Sequence, residues 1–413
     1  MSTDNVIASR PKLGIWIAGA HGDIASTLIA GTLAMNAGAV SRTGLVTDLP
    51  PMRDLPLAPL DNIVFGGIDI SESTTAAAVE QVYHRSRTLT RETLDAIQDE
   101  LPAVDSNIST DAALRWNPLE PPRGGPTLSR IIERLRSRLR SFREDNGLDT
   151  VVVVNLTSAE PVPADASAHR DLGALQSAIA SDRKDQVSPG MATAYAAFAE
   201  HCPYLNFTPN LSVRTEALQQ LAAQQSLPFY GDDGKTGETL VKTALGPMFA
   251  CRNLHIMSWE GTNLLGNNDG LALDDEDNRA AKMRNKEDVL DKVVGYPVHS
   301  GVNINYVPSL GDWKTAWDLI HFRGFMDVPM TMQFTWQGCD SVLAAPLVLD
   351  MARLADFALR KGESGPMVHL AMYFKNPIDV DEMALYPQFE RLLAYTRHHL
   401  AGRDRTETVN SSR

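Results

Sequence analysis

Cysteine is scarce. The three present, Cys202, Cys251 and Cys339, stand apart with no C-x-x-C spacing or nearby histidine pattern. That argues against disulfides and structural zinc and suits a reducing compartment, the cytoplasm being the simplest expectation. Long apolar runs are missing too: none approaches the roughly 18 residues of a spanning helix, and even Val151 to Leu156 is interrupted by Asn155. The expectation is a chain that does not span a membrane. The apolar patch Leu13 to Ala20 is no signal peptide, because Asp23 follows at once and a glycine turn replaces any cleavage site. Positive charge is short as well, with 38 Lys and Arg against 51 Asp and Glu and a net charge of -13. Bulk attachment to nucleic acid or to an anionic membrane is disfavoured, so any bound anion needs a local basic pocket. The ten histidines, including the pair His398-His399, show no metal-ligand spacing and no H-x-x-x-H, so no metal site is expected. Internal repeats and long low-complexity segments are absent.

What is present suits a large core. A chain of 413 residues, 43% hydrophobic, exceeds one compact domain. Leu13-Gly-Ile-Trp-Ile-Ala18 reads as a strand, Gly19-Ala-His-Gly22-Asp-Ile-Ala25 as a glycine turn, and Ser26 to Ala37 as a helix. After the Pro-rich stretch Pro50 to Pro59, Ile63-Val-Phe65 is a second strand, ending in Gly66-Gly-Ile-Asp69-Ile-Ser71. A Pro- and Gly-rich loop (Asn117 to Pro126) leads into a helix with Leu128, Ile131, Ile132, Leu135, Leu139 and Phe142 on one face. Its arginines, Arg130 through Arg143, form either a basic recognition or membrane-surface face or the solvated outside of a sheet-covering helix. Thr150 to Val154 has the continuous β-branched character of a strand in the middle of a parallel sheet, and the polar segment Asn155-Leu-Thr-Ser-Ala-Glu160 follows where such sheets bind ligands. From Gly231 onward polar glycine-rich motifs replace clean βα units, which places a domain boundary near residue 240. Val342 to Leu359 reads as an apolar helix and Val368 to Phe374 as a strand, so the chain returns to its first domain before a polar tail after Gly402.

The turn with Gly19, Gly22 and Ala25 has the context of a dinucleotide fingerprint, since small residues let backbone approach a pyrophosphate at a helix N-terminus. Any tight strand-to-helix turn also favours glycine. Asp69 and Asp48 are the candidates for an acid on the adenosine ribose. Four lysines stand out: Lys282 and Lys286, four apart; Lys314 after Gly311-Asp312-Trp313; and Lys375 after Ala371-Met-Tyr-Phe374. Lysines at i and i+4 repel by roughly 0.2–0.5 kcal/mol, a cost that a bound phosphate or enolate removes. The alternative is a solvated pair balanced by Asp274, Asp275, Glu276 and Asp277. The loops Gly231-Asp-Asp233-Gly-Lys235-Thr-Gly237 and Gly266-Asn-Asn268-Asp269-Gly270 combine glycine with amides, carboxylates and a lysine, suited to hydroxyls and a phosphate, or to ordinary turns. Asp340, in Cys339-Asp340-Ser341, opens a helix either as a presented carboxylate or as its N-cap.

Together these motifs resemble the myo-inositol-1-phosphate synthase family. The match is collinear: Val64-Phe-Gly-Gly-Ile-Asp-Ile-Ser71, Ala194-Tyr-Ala-Ala197, Cys202-Pro-Tyr-Leu-Asn206, Gly231-Asp-Asp233, Leu265-Gly-Asn-Asn-Asp-Gly270, Tyr306-Val-Pro308, Gly311-Asp312 and Asp340-Ser-Val-Leu-Ala-Ala-Pro346. The resemblance implies an α/β fold: a Rossmann-type NAD domain over 1–240, completed by 343–413, with an inserted α+β catalytic and oligomerisation domain over 241–342, assembled as a homotetramer. It implies conversion of glucose 6-phosphate to an inositol phosphate without net redox. C5 is oxidised by NAD, C6 is deprotonated and attacks the C1 aldehyde, and C5 is reduced again.

By motif position, Lys282, Lys286, Lys314 and Lys375 resemble the family's active-site lysines. Lys282 is assigned oxyanion and proton-transfer work, Lys375 polarisation in the hydride step, and Lys286 and Lys314 the phosphate and carbonyl oxygens. Asp340 joins this catalytic set. Asn267, Asn268, Asp269, Asp312 and Lys235 are the expected substrate contacts. NAD is expected against Gly19, His21, Gly22, Asp23, Ile24, Asp69, Ile70, Ser71, Thr157, Ser158, Asp233, Asp340 and Ser341. Departures are visible: His21 and Ala25 stand where the family's G-x-G-G-x-x-G loop has glycine, Phe207-Thr-Pro-Asn210 replaces G-S-P-Q-N, Lys235-Thr-Gly-Glu238-Thr replaces K-S-G-Q-T, and Gln337-Gly-Cys-Asp340-Ser replaces N-T-C-E-D-S. They leave open the same chemistry on another sugar phosphate, such as fructose 6-phosphate.

Overall fold

In the computed structural model, which describes residues 10–266 and 289–410, the first apolar run is strand β1 (Leu13–Ala18), buried throughout. Helix α1 (Asp23–Asn36) begins at Asp23 rather than Ser26, with Gly22 as its N-cap. There follow β2 (Ile63–Asp69), α2 (Thr75–Ser86), α3 (Arg91–Ile97), α4 (Leu101–Asp105) and β3 (Ile108–Thr110). Next come α5 (Leu128–Asp145), β4 (Thr150–Asn155), α6 (Leu172–Ala180), α7 (Pro189–Ala199), β5 (Tyr204–Asn206), α8 (Glu216–Gln224) and β6 (Pro228–Gly231). These six strands form one parallel sheet in the order β3-β2-β1-β4-β5-β6. Val151 to Val154 of β4 are at most 1% exposed. In a parallel sheet covered on both faces, alternate residues meet different helix layers, so all of them must be apolar.

Helix α5 buries the six residues that its periodicity singles out, and Thr127 caps it by accepting from the Arg130 N–H. Its Phe142 ring explains two glycines on the sheet: a Cβ at Gly14 would lie 2.8 Å from that ring and one at Gly66 2.5 Å. The arginines of this helix are partly engaged by carboxylates of the same chain. Arg136 and Arg140 reach the buried Glu200 at 2.7 and 2.6 Å, and Arg134 reaches Asp111 at 3.0 Å.

A second, four-stranded sheet follows α9 (Gly237–Cys251). Its strands are β7 (His255–Leu265), β8 (His299–Tyr306), β9 (Trp313–Arg323) and β10 (Pro329–Cys339), in the order β10-β9-β7-β8. Only β7 and β8 run parallel. One face packs on α9 through Phe249, Ile256, Trp259 and Ile320, while Trp317 on the other is 40% exposed. Helix α10 (Asp340–Arg360) then carries the chain back, placing Ala344, Val348 and Leu349 in the main core. Its buried Asp350 accepts from the Val46 N–H at 2.6 Å and the Thr47 hydroxyl at 2.5 Å, fixing the loop after α1, and burial pushes that carboxyl up to about 6. The two-residue β11 (Gly365–Pro366) joins the first sheet beside β6, and α11 (Leu385–Asn410) ends the described chain.

The expected strand Val368 to Phe374 does not form. Residues Val368–Tyr373 wind into a 3₁₀ turn, with Leu370 N–H donating to the Met367 carbonyl and Phe374 N–H to that of Ala371. The place beside β6 is already taken by β11, and His369, Leu370, Ala371 and Tyr373 are all buried, which a single strand face does not achieve. Among the described residues no helix is long and apolar enough to cross a membrane.

Candidate active site

The first sheet reverses its winding between β1 and β4, because β2 and β3 extend one way from β1 while β4, β5 and β6 extend the other. In open α/β sheets the crevice at such a switch point, beyond the strand carboxyl ends, is where ligands bind. A cleft of about 370 Å³ opens there, walled opposite by α9 and the second sheet. Three helix N-termini meet at it: α1 through Gly22, Asp23, Ile24 and Ala25; α9 through Thr236, Glu238 and Thr239; and α10 through Asp340, Ser341 and Ala344. Helix N-termini present orphan amides and the positive end of the peptide dipole, so the cleft favours anions despite the chain's negative charge.

The glycine turn is built for close approach. Gly19 sits at φ +86°, and a Cβ there would meet the Leu156 carbonyl oxygen at 3.0 Å. Asp69, at the end of β2, accepts from the His21 N–H at 2.9 Å and from the Ser71 N–H and hydroxyl at 3.0 and 2.8 Å. Thr157 and Ser158 line the cleft from the end of β4. Behind them lies a buried amide layer in which Asn155 accepts from the Thr157 hydroxyl at 2.8 Å and donates to Asn206 at 3.1 Å, while Asn210 donates to Thr157 at 3.1 Å. These features fit a dinucleotide: a backbone turn free of side-chain bulk, a helix N-terminus, a β2 carboxylate, and hydroxyls opposite.

On the far wall the two lysines each have a carboxylate nearby. Lys375 Nζ lies 2.8 Å from Asp233 Oδ1, and its N–H donates to the Asp233 carbonyl at 2.7 Å, so the 231–237 loop and the segment after the 3₁₀ turn are stitched together. Asp233 itself takes φ +59°, an αL conformation suited to Asp in a tight turn. Lys314 Nζ is 3.9 Å from Asp340 Oδ2, and Asp340 Oδ1 is buried with no hydrogen-bond partner among the described residues. Gly237, at φ +64°, leaves room for that lysine, since a Cβ there would fall 2.8 Å from Lys314 Nζ. Asp312 accepts from Cys339 Sγ at 2.9 Å and from the Ser341 hydroxyl, and burial is the main cause pushing the Cys339 thiol up to about 12. Arg85 pairs with Asp23 at 2.6 Å.

The cleft therefore gathers His21, Gly22, Asp23, Ile24, Thr157, Ser158, Asp233, Asp312, Lys314, Asp340, Ser341 and Lys375, with Gly19 and Asp69 shaping the turn. Ile70 and Ser71 stay outside, both exposed. The N-cap of α10 is Cys339, so Asp340 is free to serve as the presented carboxylate. Lys235 departs from expectation: it is 2% exposed, turned away from the cleft, with Nζ donating to Gln388 of α11 at 2.5 Å. The backbone explains this, because its N–H is held by the Tyr373 carbonyl, which directs the side chain under α11. Burial pushes its ammonium down to about 7. Lys282, Lys286, Asn267, Asn268 and Asp269 lie outside the described residues.

Two cleft residues escaped sequence reasoning, Arg85 and Gln81 of α2, while Thr236, Glu238 and Thr239, noted only as a departure from the family's loop, line the cleft from the start of α9. Glu238 is 2% exposed and meets Lys242, 1% exposed, at 3.0 Å; Asn263 donates to it at 2.7 Å and Lys242 donates to Ser300 at 3.0 Å. The i,i+4 spacing was the available signal. Among the described residues no group of three or more His, Cys, Asp or Glu is placed to hold a metal.

Comparison with known proteins gives a consistent result. The NAD-binding family model described as myo-inositol-1-phosphate synthase matches residues 13–397. Inositol-3-phosphate synthase 1 of Bacteroides thetaiotaomicron is 36% identical over 401 residues, covering 89% of this chain and 90% of that protein. The Dictyostelium discoideum inositol-3-phosphate synthase is 27% identical over 390 residues, covering 85% of this chain and 75% of its own. Among solved structures, inositol-3-phosphate synthase from Caenorhabditis elegans superposes with a TM-score of 0.82 at 22% identity, covering 94% of this chain and 85% of its own. A myo-inositol-1-phosphate synthase-related protein from Thermotoga maritima reaches 0.73 at 22% identity, over 93% of this chain and 98% of its own. At such identities the structures speak for the fold, while the family model and the Bacteroides relative speak for descent. NAD is the cofactor, and the chain belongs to the myo-inositol-1-phosphate synthase family.

Proposed function

We propose that this enzyme cyclises glucose 6-phosphate to 1D-myo-inositol 3-phosphate with no net redox change. The observation that carries this reading is the convergence on one cleft of a dinucleotide turn, two further helix N-termini, and two lysines each held by a carboxylate. NAD, when bound, supplies the hydride acceptor and donor at the sugar's C5. Gly19, Gly22, the first turn of α1, Asp69, Thr157 and Ser158 hold it.

Lys375, oriented by Asp233, donates a hydrogen bond to the C5 oxygen, favouring the carbonyl form and the acidity of the adjacent C6 hydrogens. Lys314, restrained near Asp340, faces the C1 oxygen and stabilises the alkoxide that develops as C6 bonds to C1. The N-terminus of α9 beside Lys314 suits the substrate phosphate. Lys282 and Lys286 complete the set, with proton transfer assigned to Lys282. In this reading residues 1–240 and 343–413 form the NAD-binding domain. Residues 241–342 form the inserted unit, whose open sheet face around Trp317 pairs copies into a homotetramer.

A second reading keeps the chemistry and changes the sugar phosphate. It is favoured by Glu238, a carboxylate in the cleft wall at the position where the family's loop carries glutamine. The test is to incubate purified enzyme, NAD and glucose 6-phosphate while following the nicotinamide absorbance band. Inositol phosphate accumulating over many turnovers with no net absorbance change supports the proposal; stoichiometric NADH release identifies a simple dehydrogenase instead.

A further inference from the structure

One side chain in the glycine turn stands where the family's G-x-G-G-x-x-G loop has glycine. His21 lines the cleft and is partly exposed there, yet Nδ1 and Nε2 are both buried and have no hydrogen-bond partner among the described residues. Its backbone is fixed, the N–H donating to Asp69 Oδ2 at 2.9 Å, so the ring is anchored next to the cleft. A buried imidazole with neither nitrogen bonded is a destabilising arrangement, and such a group in a native protein marks strain, a catalytic role or a partner such as water, an ion or a ligand.

The surroundings narrow what that partner is. His21 immediately precedes Gly22, the N-cap of the 14-residue α1, whose first-turn amides have no intrahelical acceptor. That is where a dinucleotide's pyrophosphate sits in this topology. The charged groups nearby are otherwise engaged: Asp69 accepts from His21 and Ser71 backbone and from the Ser71 hydroxyl, and Asp23 pairs with Arg85 at 2.6 Å. None of them bonds the ring. A half-turn about Cβ–Cγ exchanges the nitrogen positions with those of ring carbons without moving the backbone.

We propose that His21 is a pyrophosphate ligand of the cofactor: on NAD binding the ring turns and donates an N–H to a pyrophosphate oxygen, a contact that glycine at this position cannot make. This rests on the cleft being the NAD site. The turn then binds the anion through one side chain as well as through backbone.

The test is titration calorimetry with NAD, with ADP-ribose, which keeps the pyrophosphate, and with adenosine, which lacks it. His21→Gly and His21→Phe should each weaken NAD and ADP-ribose about 10-fold or more while leaving adenosine within about 2-fold. His21→Gln, which retains a side-chain N–H donor, should recover most of the loss. Unchanged affinity for NAD in the Gly and Phe variants, or an equal loss for adenosine, overturns the proposal. Wild-type protein that binds no NAD would instead remove the cofactor reading itself.

Discussion

Replacing Lys242 by methionine isolates the energetics of the cleft wall. Glu238 and Lys242 sit 3.0 Å apart at 2% and 1% exposure, with Asn263 and Ser300 completing their hydrogen bonds. Methionine fills most of the lysine's volume against Trp259 but removes the ammonium that Glu238 meets at 3.0 Å. Breaking a buried pair from one side costs about 3–5 kcal/mol. With an unfolding entropy of roughly 2 cal/mol/K per residue, a 413-residue cooperative unit would lose about 3–6 °C of melting temperature. Separate unfolding of the second sheet's unit would enlarge the shift. The double variant Glu238→Gln with Lys242→Met should recover most of the loss, since the amide oxygen still accepts from Asn263 and both charges of the pair are gone. Scanning calorimetry of the two single variants and the double one measures the coupling directly. A shift under about 1 °C for Lys242→Met, or no recovery in the double variant, would show that the pair is not the buried unit described.

Lys314→Ala and Lys375→Ala should each lower kcat by about 100-fold or more while leaving NAD affinity nearly unchanged, because in the proposed mechanism each supplies one donor to developing charge; steady-state kinetics alongside calorimetric NAD binding separates the two. Gly19→Ala forces a side chain at φ +86° against the Leu156 carbonyl, so NAD affinity should fall and stability drop by about 1–3 kcal/mol, read by ligand titration and thermal melting. Lys235 titrates near 7 in the folded chain because burial disfavours its ammonium, against an ordinary 10.5 when unfolded. Between those values the unfolded chain binds the extra proton, so this group's penalty is full below pH 7 and fades as pH rises toward 10.5. Subtracting the pH–melting profile of Lys235→Met from wild type should show that slope, and a flat difference would contradict the buried placement.

Strong periodicity made much of the fold legible. The buried β1, the valine run of β4, the apolar face of α5 and the long α10 each have only one way to bury their side chains. Sequence reading brought to the cleft the glycine turn around Gly19, Lys314 after Gly311-Asp312-Trp313 and Lys375 at the end of the expected strand. It erred where tertiary context decides. Val368 to Phe374 has strand composition, but its sheet position was already filled. Lys235 reads as a loop lysine until its backbone bond to Tyr373 turns it inward. Glu238 and Lys242 have the spacing of an ordinary surface pair, and only the second sheet closing over α9 buries them.

The most direct measurement is a phosphorus NMR and mass-spectrometric product assay on purified enzyme with NAD, offered glucose 6-phosphate and fructose 6-phosphate in parallel. The reading requires an inositol phosphate isomeric with glucose 6-phosphate, formed from that substrate and lost in Lys282→Ala. Turnover of fructose 6-phosphate alone would contradict it and make this chain a carbocyclase for a different sugar.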